Sequence, residues 1–401
     1  MRKSILTGWN QAFSCPEAAR DVAAVPDERS RAIGVPASSP YLSYSMEHMM
    51  HWDHKLGRIV FLAGALMVAF AAPAAHAQSF ETPAPVSLPK DEAPHHSQEE
   101  WWYFVGHLKG VDPSGKEREF GYEVTVFQTW PIPSGEANYT WHFAVTDVTN
   151  KRFQSEERVS SADIPRQLDS FSFTNADWSV AGSAQNYAIK AKLGDDRYGI
   201  DLQTSSDQPF VLHNGNGVVP YMPLSDTSAY YSSTALHTTG TIYDNGVPIK
   251  VTGISWQDRQ WFNFKNTGGW NWFAIQLDNN TQYMLYFLQN FPAGDIVLRY
   301  GTKVTNGVAT PVDPNTLSLT VLDHWTSPKT LYTYPSKWQI GLPEGTMTVT
   351  PLVQNQELSW PGHRTYFEGD SAIAGTLDGR PVTGRGYTEV NPAFEPLSSL
   401  P

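Results

Sequence analysis

"FGYEVTVFQTW", residues 120–130, decides the fold class. Its side chains alternate, with Glu123 and Thr125 on one face and Val124 and Val126 on the other. A period of two is that of a strand, because successive Cβ atoms leave opposite faces of the pleat. The same period recurs in "WHFAVTDV" (141–148), where Trp141, Phe143 and Val145 oppose His142, Ala144 and Thr146. It returns in "NYAIKAKL" and "YGIDLQT". Asn245-Gly246 separates "TIYD" from "VPIKV", and Asp378-Gly379 separates "AIAGTL" from "RPVTG". Both pairs suit a type I′ hairpin turn, which needs positive φ at two successive residues. No stretch after residue 80 carries a helical period of useful length. The sequence predicts an all-β protein, as sandwich or barrel.

Two units look alike. "EEWWYFVGHL" leads into "GYEVTVFQ", and "GWNWFAIQLDNN" leads into "TQYMLYFLQ". Each is an aromatic strand, a turn, and an aliphatic–aromatic strand, as an internal duplication would leave. The expected division is an N-terminal domain over 99–250 and a C-terminal domain over 251–401, after a Pro-rich lead-in over 78–98.

Upstream, "HKLGR" (54–58) is basic, residues 59–72 are an unbroken apolar run, and "AHA" (75–77) offers small residues. That order reads as a signal peptide over 46–77 with cleavage after Ala77. The run falls short of the roughly 20 residues needed to span a bilayer. Residues 1–45 lie upstream of it, and Met46, Met49 or Met50 would each give a normal signal length. The expected location is the periplasm or outside the cell.

Residues 78–401 carry 21 Lys/Arg against 34 Asp/Glu, a net charge of −13. Such a balance argues against nucleic acid and anionic membrane surfaces as partners. The one cysteine, Cys15, lies in the expected discarded part, which leaves neither disulfide nor thiol nucleophile in the exported chain. Its histidines show no metal-site spacing, no G-x-S-x-G elbow occurs, and no phosphate-binding loop precedes a helix. Neither a metal nor a cofactor is expected.

What remains is carboxylates among aromatics. In "WQDRQW" (256–261), Trp256, Asp258 and Gln260 share one strand face, and Gln257, Arg259 and Trp261 the other. If the first face lines an apolar lumen, Asp258 is desolvated and becomes a neutral acid able to protonate an alkene. Trp256 and the phenols of Tyr230 and Tyr231 could stabilise a cation through their π-faces. The bland alternative makes the tryptophans core and gives Arg259 a buried partner, Glu99 or Glu100.

The chain resembles the lipocalin-like family that includes carotenoid 1,2-hydratase (hydroxyneurosporene synthase) and the AttH-like proteins often labelled secreted hydrolases. The resemblance runs through "EEWWYF" (99–104), "HFAVTDV" (142–148), "YYSSTALHTTGTI" (230–242) and "VTGISWQDRQW" (251–261). It continues through "WNWFAIQLDNN" (270–280), "YPSKWQI" (334–340), "NQEL" (355–358), "YFEG" (366–369) and "GRPVTGRGY" (379–387). It implies two calycin-like β-barrel domains side by side, with a hydrophobic pocket between or within them. The proton-donor role in its hydratases would fall on Asp258, beside Trp256 and Tyr231. Trp102, Tyr103, His142, Tyr230 and Trp272 would line the ligand, and Arg259 would pair with Glu100. The hydratases carry a histidine near "AYYSS", where this chain has Ala229 or Tyr230, and a tryptophan where it has Tyr231. These departures favour the AttH-like branch. The family also covers cyclisation by pocket shape, and the AttH-like proteins imply a lipoprotein-type membrane transport system as a partner. The expected ligand is a hydrophobic, unsaturated small molecule, isoprenoid- or polyketide-like. The alternatives are a carrier without chemistry and, with least support, a hydrolase.

Overall fold

Strand follows strand through a chain in which almost every alternating segment finds a partner. The computed structural model describes residues 79–133, 135–160, 167–221, 226–264, 268–291, 293–361 and 365–392. The expected leader, its cleavage point and the segment upstream lie outside these residues. Twelve strands form a first sheet: β1 (Glu99–Val111), β2 (Glu117–Thr129), β3 (Asn138–Asp147), β4 (Arg152–Ser160), β5 (Phe171–Asn175), β6 (Trp178–Ser183), β7 (Asn186–Lys192), β8 (Tyr198–Ser205), β9 (Val211–Leu212), β10 (Val218–Pro220), β11 (Thr227–Asp244) and β12 (Val247–Phe262). Ten form a second: β13 (Gly269–Leu277), β14 (Thr281–Gln289), β15 (Ile296–Thr305), β16 (Val308–Pro311), β17 (Ser318–Thr326), β18 (Thr333–Leu342), β19 (Gly345–Pro351), β20 (Glu357–Leu358), β21 (Tyr366–Leu377) and β22 (Arg380–Asn391). The only helical pieces among the described residues are three 3₁₀ turns, at Lys90–Glu92, His213–Gly215 and Pro314–Thr316. The protein is all-β, built from two curled, barrel-like sheets.

The two sheets wind alike. The first runs β4-β3-β2-β1-β12-β11 and the second β16-β15-β14-β13-β22-β21 along their corresponding parts. In each, the first strand pairs antiparallel with the last, and the two aromatic hairpins β1–β2 and β13–β14 take equivalent places. The two-residue turns are also equivalent. Asn245-Gly246 closes β11–β12 with φ of 50° and 77°, and Asp378-Gly379 closes β21–β22 with 51° and 71°. Only the left-handed conformation matches the turn to the strand twist, which is why Asn, Asp and Gly stand there.

That hairpin moves the internal boundary. A division at 250/251 falls inside β12, which pairs with β1 and β11 along its length. The first sheet therefore runs to Phe262 and the second begins at Gly269. The Asn-Gly turn makes residue 251 the middle of a return strand.

The three largest apolar clusters among the described residues follow. One fills the first sheet around Trp102, Phe104, Phe173 and Trp178. Another fills the second around Phe273, Phe287, Trp338 and Phe367. The third lies between the sheets and contains Tyr103, Tyr230, Trp256, Trp272 and Tyr286. Edge-to-face contacts such as Trp102–Phe173, at 4.4 Å, add about 0.5–1.5 kcal/mol to the burial of such rings. The sheets also meet through charge. Arg385 reaches Asp370 at 2.5 Å and Glu119 at 3.1 Å. Gly121 permits that approach, since a Cβ there would stand 2.6 Å from the Tyr387 hydroxyl and 2.8 Å from Asp370.

Candidate functional site

The long central strand β12 carries the site. On its outward face, Trp256, Asp258 and Gln260 point into the third cluster, as alternation requires. Asp258 and Gln260 border a cavity of about 630 Å³, a size typical of small-molecule sites. The flanking strands set its wall by register. Tyr103 of β1 stands opposite Asp258, and Ser232 of β11 opposite its other edge.

Asp258 is 2% exposed and accepts three hydrogen bonds. Tyr230 Oη donates to Oδ2 at 2.5 Å, Trp256 Nε1 donates to Oδ1 at 2.6 Å, and Ser232 Oγ also donates to Oδ1. Burial pushes the carboxyl from 3.8 up to about 6, against those three bonds, which favour the charged form. Trp272 Nε1 donates to Tyr230 Oη at 3.0 Å and so fixes the phenol from the second sheet.

Behind Ser232 stands a histidine that the sequence reading left unassigned. His213 comes from the 3₁₀ turn after β9. Its Nε2 lies 2.8 Å from Ser232 Oγ, its Nδ1 lies 2.8 Å from Thr302 Oγ1, and its ring packs on Tyr230 at 4.3 Å. Burial lowers its pKa to about 3, so it is neutral. With Ser232 donating to Asp258, the His213 proton must sit on Nε2. A histidine from a separate loop thus stands against Tyr230 and Ser232 of "AYYSS". No spacing rule could have found it, because its neighbours are some 19 and 89 residues away.

The opposite face of β12 is a different environment. Arg259 is fully buried, and its Nη1 meets Glu100 Oε1 at 2.8 Å. It also donates to the carbonyls of Trp101 and Ala93 at 3.3 and 3.1 Å, and stacks over Trp102 at 3.9 Å. Glu100 takes two further bonds from His95, at 2.8 Å from Nδ1 and from the backbone N–H. Burial raises the Glu100 pKa, but Arg259 and His95 outweigh it and hold the carboxyl below its usual 4.5. The lead-in is therefore anchored beneath this face at Ala93 and His95.

Of the expected residues, Asp258, Trp256, Tyr103, Tyr230 and Trp272 meet in the third cluster. His142 borders the cavity further along, with Tyr366 Oη at 2.6 Å from Nδ1 and Glu157 at 3.2 Å from Nε2. Two expected residues point elsewhere. Tyr231 packs with Trp261 and Phe210 on the Arg259 face, and Trp102 lies in the core of the first sheet. Both are one residue from a cavity residue, and one step along a strand reverses the face. Tyr230 takes the place expected of Tyr231, and Trp101 that of Trp102.

The second sheet adds two acids that the sequence reading did not single out. Glu368 of β21 and Glu389 of β22 are directly paired in register, and both border the cavity. Tyr103 Oη donates to Glu368 Oε1 at 2.7 Å. Burial, followed by the charges of Glu389 and Glu123, raises Glu368 well above the carboxylate range. Burial and Glu123 push Glu389 up to about 8. No lysine or arginine stands among the described residues bordering the cavity. No group of three or more His, Cys, Asp or Glu that could hold a metal occurs among the described residues.

Comparison with known proteins gives a consistent answer. The AttH-like family matches residues 79–392. A crystal structure of a Nitrosomonas europaea protein assigned to AttH superimposes with a TM-score of 0.68 at 25% identity, covering 78% of this chain and 100% of that one. Kievitone hydratase from Nectria haematococca superimposes with a TM-score of 0.64 at 14% identity, covering 79% and 97%. At that identity the second likeness concerns the fold alone. Among curated proteins, none matches the chain.

Proposed function

The chain belongs to the AttH-like family, and from that premise we propose that it binds an unsaturated, largely apolar lipid between its two sheets and hydrates or isomerises it. Asp258 is the acid. One observation carries the reading: a buried carboxyl faces a ligand-sized cavity, ringed by aromatics, with no lysine or arginine among the described residues that border it. Such a group can hold a proton near neutrality and release it to a weak base.

In the reaction, neutral Asp258 transfers its proton to one carbon of a C=C bond, and the adjacent carbon becomes cationic. The faces of Trp272 and Tyr230, which border the cavity, shield that cation. A water molecule adds to it and returns a proton to the Asp258 carboxylate, so the product differs from the substrate by one water. Loss of a different proton to the same carboxylate gives an isomer instead. Tyr230, Trp256 and Ser232 stabilise the carboxylate left after proton transfer, when charge is greatest. The ligand class is isoprenoid- or polyketide-like. The basic, apolar and small-residue segments over 54–77 support placing this activity outside the cytoplasm.

A second reading is a lipid carrier without chemistry. It is favoured by the same three donors, which give Asp258 all the partners a structural carboxylate needs. The test incubates the purified protein with a total lipid extract in ¹⁸O-water and compares products by mass spectrometry with those of Asp258→Asn. A lipid gaining one labelled water only with the wild type supports the hydratase, and the variant should be slower by about a hundredfold or more. An unlabelled isomer formed only by the wild type supports the isomerase. A lipid retained unchanged and equally by both proteins makes this a carrier. Label in a released carboxylate would point to a hydrolase.

A further inference from the structure

The cavity has a second polar end. Glu368 is 1% exposed and its side chain borders the cavity; while its Oε1 accepts from Tyr103, its buried Oε2 has no hydrogen-bond partner among the described residues. A buried polar atom left unpaired costs about 1–3 kcal/mol, so one on a side chain that borders a binding cavity has room for a partner from outside the fold. The nearby charged groups on the facing strands are Glu389, Glu123 and Asp258, all acids. Like charges this close do not all ionise.

Glu368 is joined to Asp258 by a row of rings along the cavity wall. Tyr103 packs edge-to-face on Trp272 at 5.3 Å, and Trp272 bonds to Tyr230, which bonds to Asp258. An apolar strip about two rings long thus separates two carboxyl groups.

We infer that Glu368 is the anchor for an oxygen on the ligand, with its free Oε2 donating a hydrogen bond to a carbonyl group while the unsaturated chain lies along Trp272 toward Asp258. The ligand is then an oxygenated unsaturated lipid, and a plain hydrocarbon fits poorly. This inference rests on the proposed binding of an unsaturated lipid between the sheets. Tyr103 holds the anchor in place: its hydroxyl already donates to Oε1, which leaves the carboxyl proton for Oε2. Burial and the neighbouring acids keep that proton bound at neutral pH.

The experiment uses three matched probes on the whole protein at pH 7, read by calorimetry and tryptophan fluorescence. They are geranylacetone, the hydrocarbon with methylene in place of its carbonyl, and the primary amine at the same carbon. Geranylacetone should bind the wild type about five- to tenfold more tightly than the hydrocarbon, the value of one well-placed neutral hydrogen bond. Glu368→Leu should abolish that preference without weakening the hydrocarbon. Glu368→Gln, whose amide can still donate, should keep most of it. A preference that survives in Glu368→Leu would overturn the inference, as would one lost in Glu368→Gln. The amine binding tightest, and losing that advantage in Glu368→Gln, would mean an ionised carboxylate and also overturn it. Equal binding of ketone and hydrocarbon to the wild type breaks this inference alone. Binding of none of the three removes the underlying lipid-binding reading along with it. Should Glu368→Leu fail to fold, the wild type and Glu368→Gln still decide.

Discussion

Asp258 and Glu100 are both buried carboxyl groups beside the same strand, yet the two faces of β12 treat them oppositely. Glu100 meets a guanidinium at 2.8 Å and a histidine, and its pKa is lowered. Asp258 meets only neutral donors, and its pKa is raised to about 6. Both groups are deprived of water. What differs is whether a full positive charge replaces it, because neutral dipoles offset only part of the desolvation cost. A strand can therefore hold a structural ion pair and a proton donor at successive residues, provided they leave opposite faces.

The largest expected effect lies on the ion-pair face. Arg259→Ala should destabilise the fold by about 3–5 kcal/mol, because it strands the Glu100 charge in the core. Urea unfolding measures this, and an unchanged midpoint would mean that His95 suffices as a partner. The double variant Arg259→Met with Glu100→Leu should recover much of the loss, since it removes both charges together.

Next comes the pH dependence of the acid face. Turnover that needs neutral Asp258 should decline as pH rises through about 6, approaching tenfold per pH unit beyond it. A flat profile of kcat/KM from pH 5 to 8 would count against the acid. The stability signs are opposed too. The Glu100 pKa is depressed, so its contribution is present above 4.5 and lost as pH falls through the folded value. The Asp258 pKa is raised, so its charge costs stability progressively as pH climbs from 3.8 to about 6.

A smaller effect separates two adjacent tyrosines. Tyr230→Phe removes one donor from Asp258, disfavours the carboxylate, and should move the falling limb upward by about one pH unit or less. Tyr231→Phe alters the Arg259 face and should leave turnover within about twofold of wild type. Equal effects of the two variants would break the assignment of faces.

How legible this was depended on distance along the chain. The alternation in residues 120–130 and the two-residue turns at 245–246 and 378–379 specified strands and hairpins, because both are local backbone matters. The faces within "WQDRQW" were readable for the same reason, and Asp258, Trp256 and the Arg259–Glu100 pair lie where alternation puts them. Tyr231 and Trp102 were misassigned because alternation separates neighbours without saying which face meets the ligand. That depends on which side the second sheet covers.

The sequence alone thus determined an all-β chain, its turn positions, and a strand with an aspartate and an arginine on opposite faces. Tertiary structure decided the rest. It paired the first strand of each sheet with the last in the interior of the strand order, carried β12 into the first sheet, and created the cavity between the two. It brought His213 to Ser232 and Glu368 to Tyr103 across 19 and 265 residues. It also set the ionisation of each acid, since a carboxyl group's pKa reflects the water and charge around it after folding, which its sequence neighbours do not reveal.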